Sequence, residues 1–261
     1  MTKKRITKLK ELYKKEKSVF FVYIILRIIV VASIVLSALN RNFESVFVCA
    51  LTLILFTIPF FIEENLGIEI PSALQIIIIL FIFAAEILGE LGEFYVKFPY
   101  WDTMLHTLNG FLCAAVGFSL VDILNRNSRI KFSLSPFFLS VVAFCFSMTI
   151  GVLWEFFEFS CDILLNIDMQ KDTVINVINS VKLNPDGANK VVSIKDIGKT
   201  VVDGKELSIN GYLDIGLFDT MKDLLVNFVG AVIFSFIGYF YVKSRGEGKF
   251  AKKFIPTIKD V

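Results

Sequence analysis

Apolar residues gather into six runs, near 18–39, 45–62, 72–93, 103–124, 135–160 and 220–242, and charged residues collect at their ends and in the gaps between them. Each run is close to the roughly 20 residues that an α-helix needs to cross the hydrocarbon core of a bilayer. Residues 163–218 follow a different pattern. Pro185-Asp186-Gly187 and Asp203-Gly204 are turn signals, and the second sits between 199–202 and 205–209 as in a β-hairpin with a tight Asp-Gly turn. Segments 177–183 and 190–194 are placed to pair around the first turn in the same way. The expected fold is an all-α membrane protein, a six-helix transmembrane bundle. It carries a small β-rich extracytoplasmic insertion of three or four strands between helices 5 and 6. Isolated hairpins are marginal in water, so the insertion should dock on the helix ends.

Composition agrees with this pattern. With 55% hydrophobic residues and 28 Phe among 261, the chain has more apolar surface than a soluble domain of its size can bury. Its organisation reads as a basic N-terminus (1–17), spans one to five (18–162), the insertion (163–218), span six (219–243) and a basic tail (244–261). Lys and Arg crowd the N-terminus, the loop with Arg126, Arg129 and Lys131, and the tail. The loops at 40–44 and 94–101 hold only Arg41 and Lys97. That asymmetry predicts cytoplasmic termini in a bacterial-type plasma membrane. The first run contains Arg27 and is too long for a signal-peptide core. Arg27 either snorkels to the cytoplasmic surface or pairs with a buried acid. A net charge of +2, with basic residues in the flanks, gives no footing for nucleic-acid binding. Cys49, Cys113, Cys145 and Cys161 fall in or at the spans without a CxxC and read as small buried hydrophobes.

The polar residues that interrupt the runs change the picture further. With the N-terminus inside, four clusters fall at the outer end of the bundle. They are Glu86, Glu90 and Glu93; Asp102 and His106; Glu155, Glu158 and Asp162; and Asp219, Asp223 and Asn227. Offsets of three, four, seven and eight put most of these on single helical stripes, which continue to Gly110 and Gly230. Glycine there permits close helix approach. Ionisable groups at such depth face partners or water rather than lipid. Glu155, Glu158 and Asp102 are candidates for acid/base catalysis. His106, Glu158 and Asp223 are candidate ligands for a divalent metal ion such as Mn, Mg or Zn. Glu86, Glu90, Asp162, Asp219 and Asn227 complete the expected polar site. The clusters hold nine carboxylates, with only Lys97 and Lys222 near them in sequence. Such crowding calls for shared protons or a bound cation. Plainer roles compete: Asp102 and Asp219 each start a helix and precede Thr, as N-caps do. Glu93 and Asp162 fit wet interface positions, and His106 fits a satisfied core histidine.

Three motifs carry a family resemblance. Trp101-Asp102-Thr103-Met104-Leu105-His106, followed by Gly110, resembles the Asp-x-x-x-His-x-x-x-Gly signature of the YjdF-like bacterial membrane family. Trp154-Glu155-Phe156-Phe157-Glu158 resembles its Glu-x-x-Glu segment, and Asp219-Thr220-Met221-Lys222-Asp223 its Asp-Thr-x-x-Asp segment. VanZ-like membrane proteins are similar at greater distance. The resemblance covers roughly 70–243 and departs in two places. Asn227 stands where an acid is expected, and relatives join Met169-Gln170 to Gly216-Leu217 more directly. It implies the fold and the location of the site. It brings no settled activity, and the VanZ-like relation implies only a loose link to envelope or glycopeptide-antibiotic tolerance. The favoured function is a membrane-embedded enzyme acting on a lipid or envelope substrate, with membrane lipids as partners. Its rivals are a cation- or proton-coupled transporter and a structural or partner-binding protein. Against the transporter, Asp122 is the only acid near the inner end of span four, and no inverted repeat is evident.

Overall fold

The structure, a computed structural model, describes residues 16–126, 134–244 and 250–258. Most of the basic residues that set the expected orientation, in 1–15, 127–133, 245–249 and 259–261, lie outside the described residues. Among the described residues, six helical spans are long and apolar enough to cross a membrane. Span one is α1 (Lys17–Leu39). Span two is broken into α2 (Phe43–Leu55) and α3 (Ile58–Leu66). Pro59 lies in the first turn of α3, where its missing N–H costs nothing, but it cannot continue the ladder of α2. Span three begins as α4 (Ser72–Phe83) and widens into a π-helical segment, Ala84–Leu91. The single turn α5 (Phe94–Lys97) leads to α6 (Trp101–Arg126), α7 (Pro136–Leu165) and α8 (Leu217–Lys243). The strands between α7 and α8 complete the expected fold class.

The chain forms two compact units, one of Met1–Gly151 with Val226–Val261 and one of Val152–Leu225, so that α7 and α8 each contribute to both. In the first unit, Val19, Tyr23, Val30, Cys49, Phe56 and Ile79 form one buried cluster. Arg27 donates to the Tyr23 hydroxyl at 2.5 Å, and its guanidinium lies 5.0 Å from the Tyr23 ring centre. A second cluster joins α6, α7 and α8 through Ala115, Phe118, Ala143 and Phe234. Here the helix backbones nearly touch. A Cβ on Gly230 would lie 2.0 Å from the Thr107 carbonyl oxygen, and one on Gly110 would lie 2.1 Å from that of Asn227. The C-terminal segment also packs. Ile255 is 1% exposed, and Phe254 stands edge-on to Phe111 with ring centres 5.2 Å apart. Strand β1 (Ile68–Glu69) pairs antiparallel with the last strand, Thr257–Ile258, Ile68 opposite Ile258.

The second unit holds six short strands in three antiparallel pairs, where three or four strands were expected. β2 (Val174–Ile175) pairs with β7 (Tyr212–Leu213), β3 (Ile178–Ser180) with β4 (Val192–Ile194), and β5 (Val201–Val202) with β6 (Lys205–Glu206). The C-terminal strand is therefore β8. Asp203 and Gly204 both have positive φ, 50° and 76°, as a tight hairpin turn requires. The strand expected over 177–183 stops at Ser180. The Ser180 side chain accepts from Lys182 N–H and turns Val181–Leu183 into a 3₁₀ helix.

Candidate functional site

The first unit contains the acid–imidazole pair. Asp102 lies in the first turn of α6, where its negative charge complements the helix dipole. His106, one turn further on, places Nε2 3.4 Å from Asp102 Oδ1. Both side chains are largely withdrawn from solvent. Helix α6 starts at Trp101, so Asp102 is inside the helix rather than at its N-cap.

Asn227 belongs to the same unit, and it acts as a clasp. It is 1% exposed. Its carbonyl oxygen accepts from Asn109 Nδ2 at 3.3 Å. Its amide nitrogen donates to the Ser147 carbonyl at 3.5 Å and approaches Met148 Sδ at 3.6 Å. Ser147 Oγ donates to the Gly110 carbonyl at 2.7 Å. A Cβ on Gly151 would lie 2.7 Å from the Asn227 amide nitrogen, so glycine is needed at that approach. The Asn227 amide both donates and accepts here, which an ionised acid at that position could not do.

Glu86 and Glu90 lie in the π-helical segment, Glu86 part-buried and Glu90 exposed. Glu93 has left-handed φ at 57° and is exposed, with an ion pair to Lys97 at 2.9 Å.

In the second unit, three acids hold one stretch of backbone. Asp162, near the end of α7, accepts from Met169 N–H at 2.6 Å and Gln170 N–H at 2.9 Å. Asp219 accepts from Lys171 N–H at 2.9 Å. Asp214 accepts from Thr173 N–H at 2.7 Å and from Phe218 N–H, in the first turn of α8, at 2.6 Å. Asp162 and Asp219 thus anchor the entry to the strands, and the cap-like role at α8 falls to Asp214. Sequence reasoning passed over Asp214, although an acid two residues before Gly216-Leu217 at a helix start is a recognisable signal. Asp172, among these acids, has its carboxyl raised above the ordinary value. Desolvation is the main cause, followed by the charges of Asp168 and Asp214, while the Gly216 N–H opposes them.

Three carboxylates of this unit are buried: Glu155, Glu158 and Asp223. Glu158 accepts from Trp154 Nε1 at 2.8 Å, an i to i+4 contact that the sequence analysis missed. Lys222 Nζ stands 4.0 Å from Asp223 Oδ1. Glu155 is 4% exposed and lines an open groove of about 360 Å³. The walls are mainly apolar, with Val152, Phe156 and Phe159 from α7 and Leu217 and Leu224 from α8. Gln170 and Thr220 are the other polar side chains, and Gln170 Nε2 donates to Thr220 Oγ1 at 2.5 Å. Gly216 lets Gln170 approach: its φ is 78°, and a Cβ there would lie 2.7 Å from that of Gln170.

A family model described as "Predicted membrane protein (DUF2238)" matches residues 22–244. The chain belongs to this family. The DUF2238 match takes in the three motifs and nearly all of the six spans, and the chain is a multi-pass membrane protein. The YjdF-like resemblance agrees with it. An uncharacterised protein of Thermotoga maritima is 30% identical over 124 residues, which is 46% of this chain and 62% of that protein. The chain thus spans less than two thirds of that relative's length. No solved structure matches. The matched range stops before the packed C-terminal segment, residues 250–258.

Proposed function

We propose that this DUF2238 protein is an enzyme of the bacterial-type plasma membrane, with both termini cytoplasmic, that uses acid/base chemistry on a lipid or envelope amphiphile. Glu155 takes up and returns the proton. The supporting observation is a buried carboxyl in the wall of an otherwise mostly apolar groove formed by two membrane spans. Membrane-embedded acids in such surroundings mark functional sites by default, and a positioned carboxyl contributes about 10²–10⁴-fold to a proton-transfer step. Glu158, oriented by Trp154, is the second acid/base candidate of the same helix. Asp102 is positioned to orient His106, the imidazole of the other unit.

The test compares the lipid and glycolipid profile of membranes containing wild type with those containing Glu155→Gln at equal protein level. Wild type should convert one lipid or envelope class, and Glu155→Gln should slow that conversion by about 100-fold or more. Equal conversion by the variant would remove Glu155 from the chemistry. Metal content of the purified protein tests the divalent-cation expectation separately. Stoichiometric metal that is lost in both His106→Ala and Glu158→Gln would support it.

A further inference from the structure

We infer that a second groove, on the membrane face of α6 and α8, holds one hydrocarbon chain of a membrane lipid. The chain lies along a single leaflet with its end against Phe111. This groove lies wholly in the first unit, shares no residue with the one beside Glu155, and does not depend on the proposed chemistry. One wall is a single helical stripe. Tyr100, Thr103, Met104, Thr107, Leu108 and Phe111 follow offsets of three, four, seven, eight and eleven, which stack side chains on one face of α6 and its lead-in. Gly230 and Ile233 of α8 form the other wall. Gly230 has no side chain, so the two helices close on each other at Thr107 and leave a trough beside the contact. The trough has a volume of about 460 Å³, within the range of small-molecule sites, and no lining residue is charged.

Length selects the occupant. Steps of about 1.5 Å per residue carry the stripe about 16 Å from Tyr100 to Phe111. Half of a hydrocarbon core of about 30 Å is about 15 Å. Tyr100 stands just before the span Trp101–Ile123, at the level where aromatic side chains border the headgroups, and Phe111 stands midway along that span. The trough therefore runs from headgroup level to mid-bilayer, the extent of one lipid chain in one leaflet. A helix of a partner would need it to continue past Phe111, and it does not. Phe111 is held edge-on by Phe234 of α8 and by Phe254 of the C-terminal segment, with ring centres 5.1 and 5.2 Å away. Edge-to-face contacts of this kind fix a ring in place, which makes Phe111 a firm floor. Lipid elsewhere on a span meets a convex surface; a chain in the trough meets two walls and a floor, and so buries more of its methylenes.

The test uses the full-length protein in phosphatidylcholine nanodiscs with two photo-crosslinking phosphatidylcholines. One carries its diazirine at the chain end and the other next to the ester, and labelled residues are identified by peptide mass spectrometry. The chain-end probe should label Phe111 and Ile233, and the ester-side probe Tyr100 and Met104. Each should exceed the labelling of Leu36, an exposed apolar residue of α1, by about tenfold, which the burial of about two further methylenes supplies. Met104→Trp fills the groove from an exposed position and should bring Phe111 labelling down to the Leu36 level. Ile233→Trp, also at an exposed position, serves if that variant does not fold. Three results would each mean surrounding bulk lipid only and overturn the inference. They are Phe111 labelling no stronger than that of Leu36, Phe111 labelling no stronger with the chain-end probe than with the ester-side one, and undiminished Phe111 labelling in a folded groove-filling variant.

Discussion

The two units use polar side chains in different ways. In the first, Asn227, Asn109, Ser147 and the glycines at 110, 151 and 230 bind α6, α7 and α8 together, and the Asn227 amide both donates and accepts. In the second, Asp162, Asp214 and Asp219 hold the backbone from 169 to 173, while Glu155 lines a groove. Neutral groups serve helix packing, and charged groups serve the insertion and the groove. Position near the end of a span therefore does not distinguish a structural polar residue from a functional one. The partner does: a backbone amide marks an anchor, and an open apolar wall marks a candidate for chemistry.

Three substitutions test this contrast. The largest effect is expected from Gly230→Ala, whose methyl group would sit 2.0 Å from the Thr107 carbonyl oxygen. Backbone cannot yield as a side chain does, so the loss should be about 3 kcal/mol, the upper end of the overpacking range, read as thermal unfolding in detergent. Tolerance of the methyl would mean that α6 and α8 are not so closely packed. Next is Asn227→Asp, which removes the donor to the Ser147 carbonyl. It should cost about 2 kcal/mol in the same assay. A neutral result would return position 227 to the list of acid sites. The smallest effect concerns Asp172, whose raised carboxyl favours the protonated form in the folded insertion. Its stabilising contribution is full below the unfolded value, about 3.9. It is lost as pH rises through the higher folded value. Hydrogen exchange in the strands, corrected for intrinsic rates, should be slower near pH 4 than near pH 7 by no more than about fivefold, the scale of an exposed charge interaction. Asp172→Asn should flatten that difference; an unchanged pH dependence would assign it elsewhere.

The helices were legible because apolar runs of spanning length report directly on the cost of leaving lipid. The Asp203-Gly204 hairpin was legible because its turn demands two positive φ values. The π-helical segment over Ala84–Leu91 was not, since Glu86 and Glu90 at a spacing of four satisfy an ordinary helical stripe equally well. The anchors were hidden for another reason. Asp162 and Asp219 share stripes with Glu158 and Asp223, but the amides they accept from lie 7 and 48 residues away along the chain. Asn227 appeared in sequence as a missing acid, and only the geometry of Ser147 and Asn109 reveals the need for a donor.

The small ladder between β1 and β8 has a consequence for topology. Two segments joined by hydrogen bonds occupy the same side of a bilayer, so the chain between Glu69 and Thr257 must cross it an even number of times. Four candidate spans lie in that interval, beginning at Ser72, Trp101, Pro136 and Leu217. Parity then forbids any arrangement in which just one of them fails to cross. A reporter fused after residue 258 and an accessibility tag inserted near Gly67 should therefore always give the same answer, whichever compartment that proves to be.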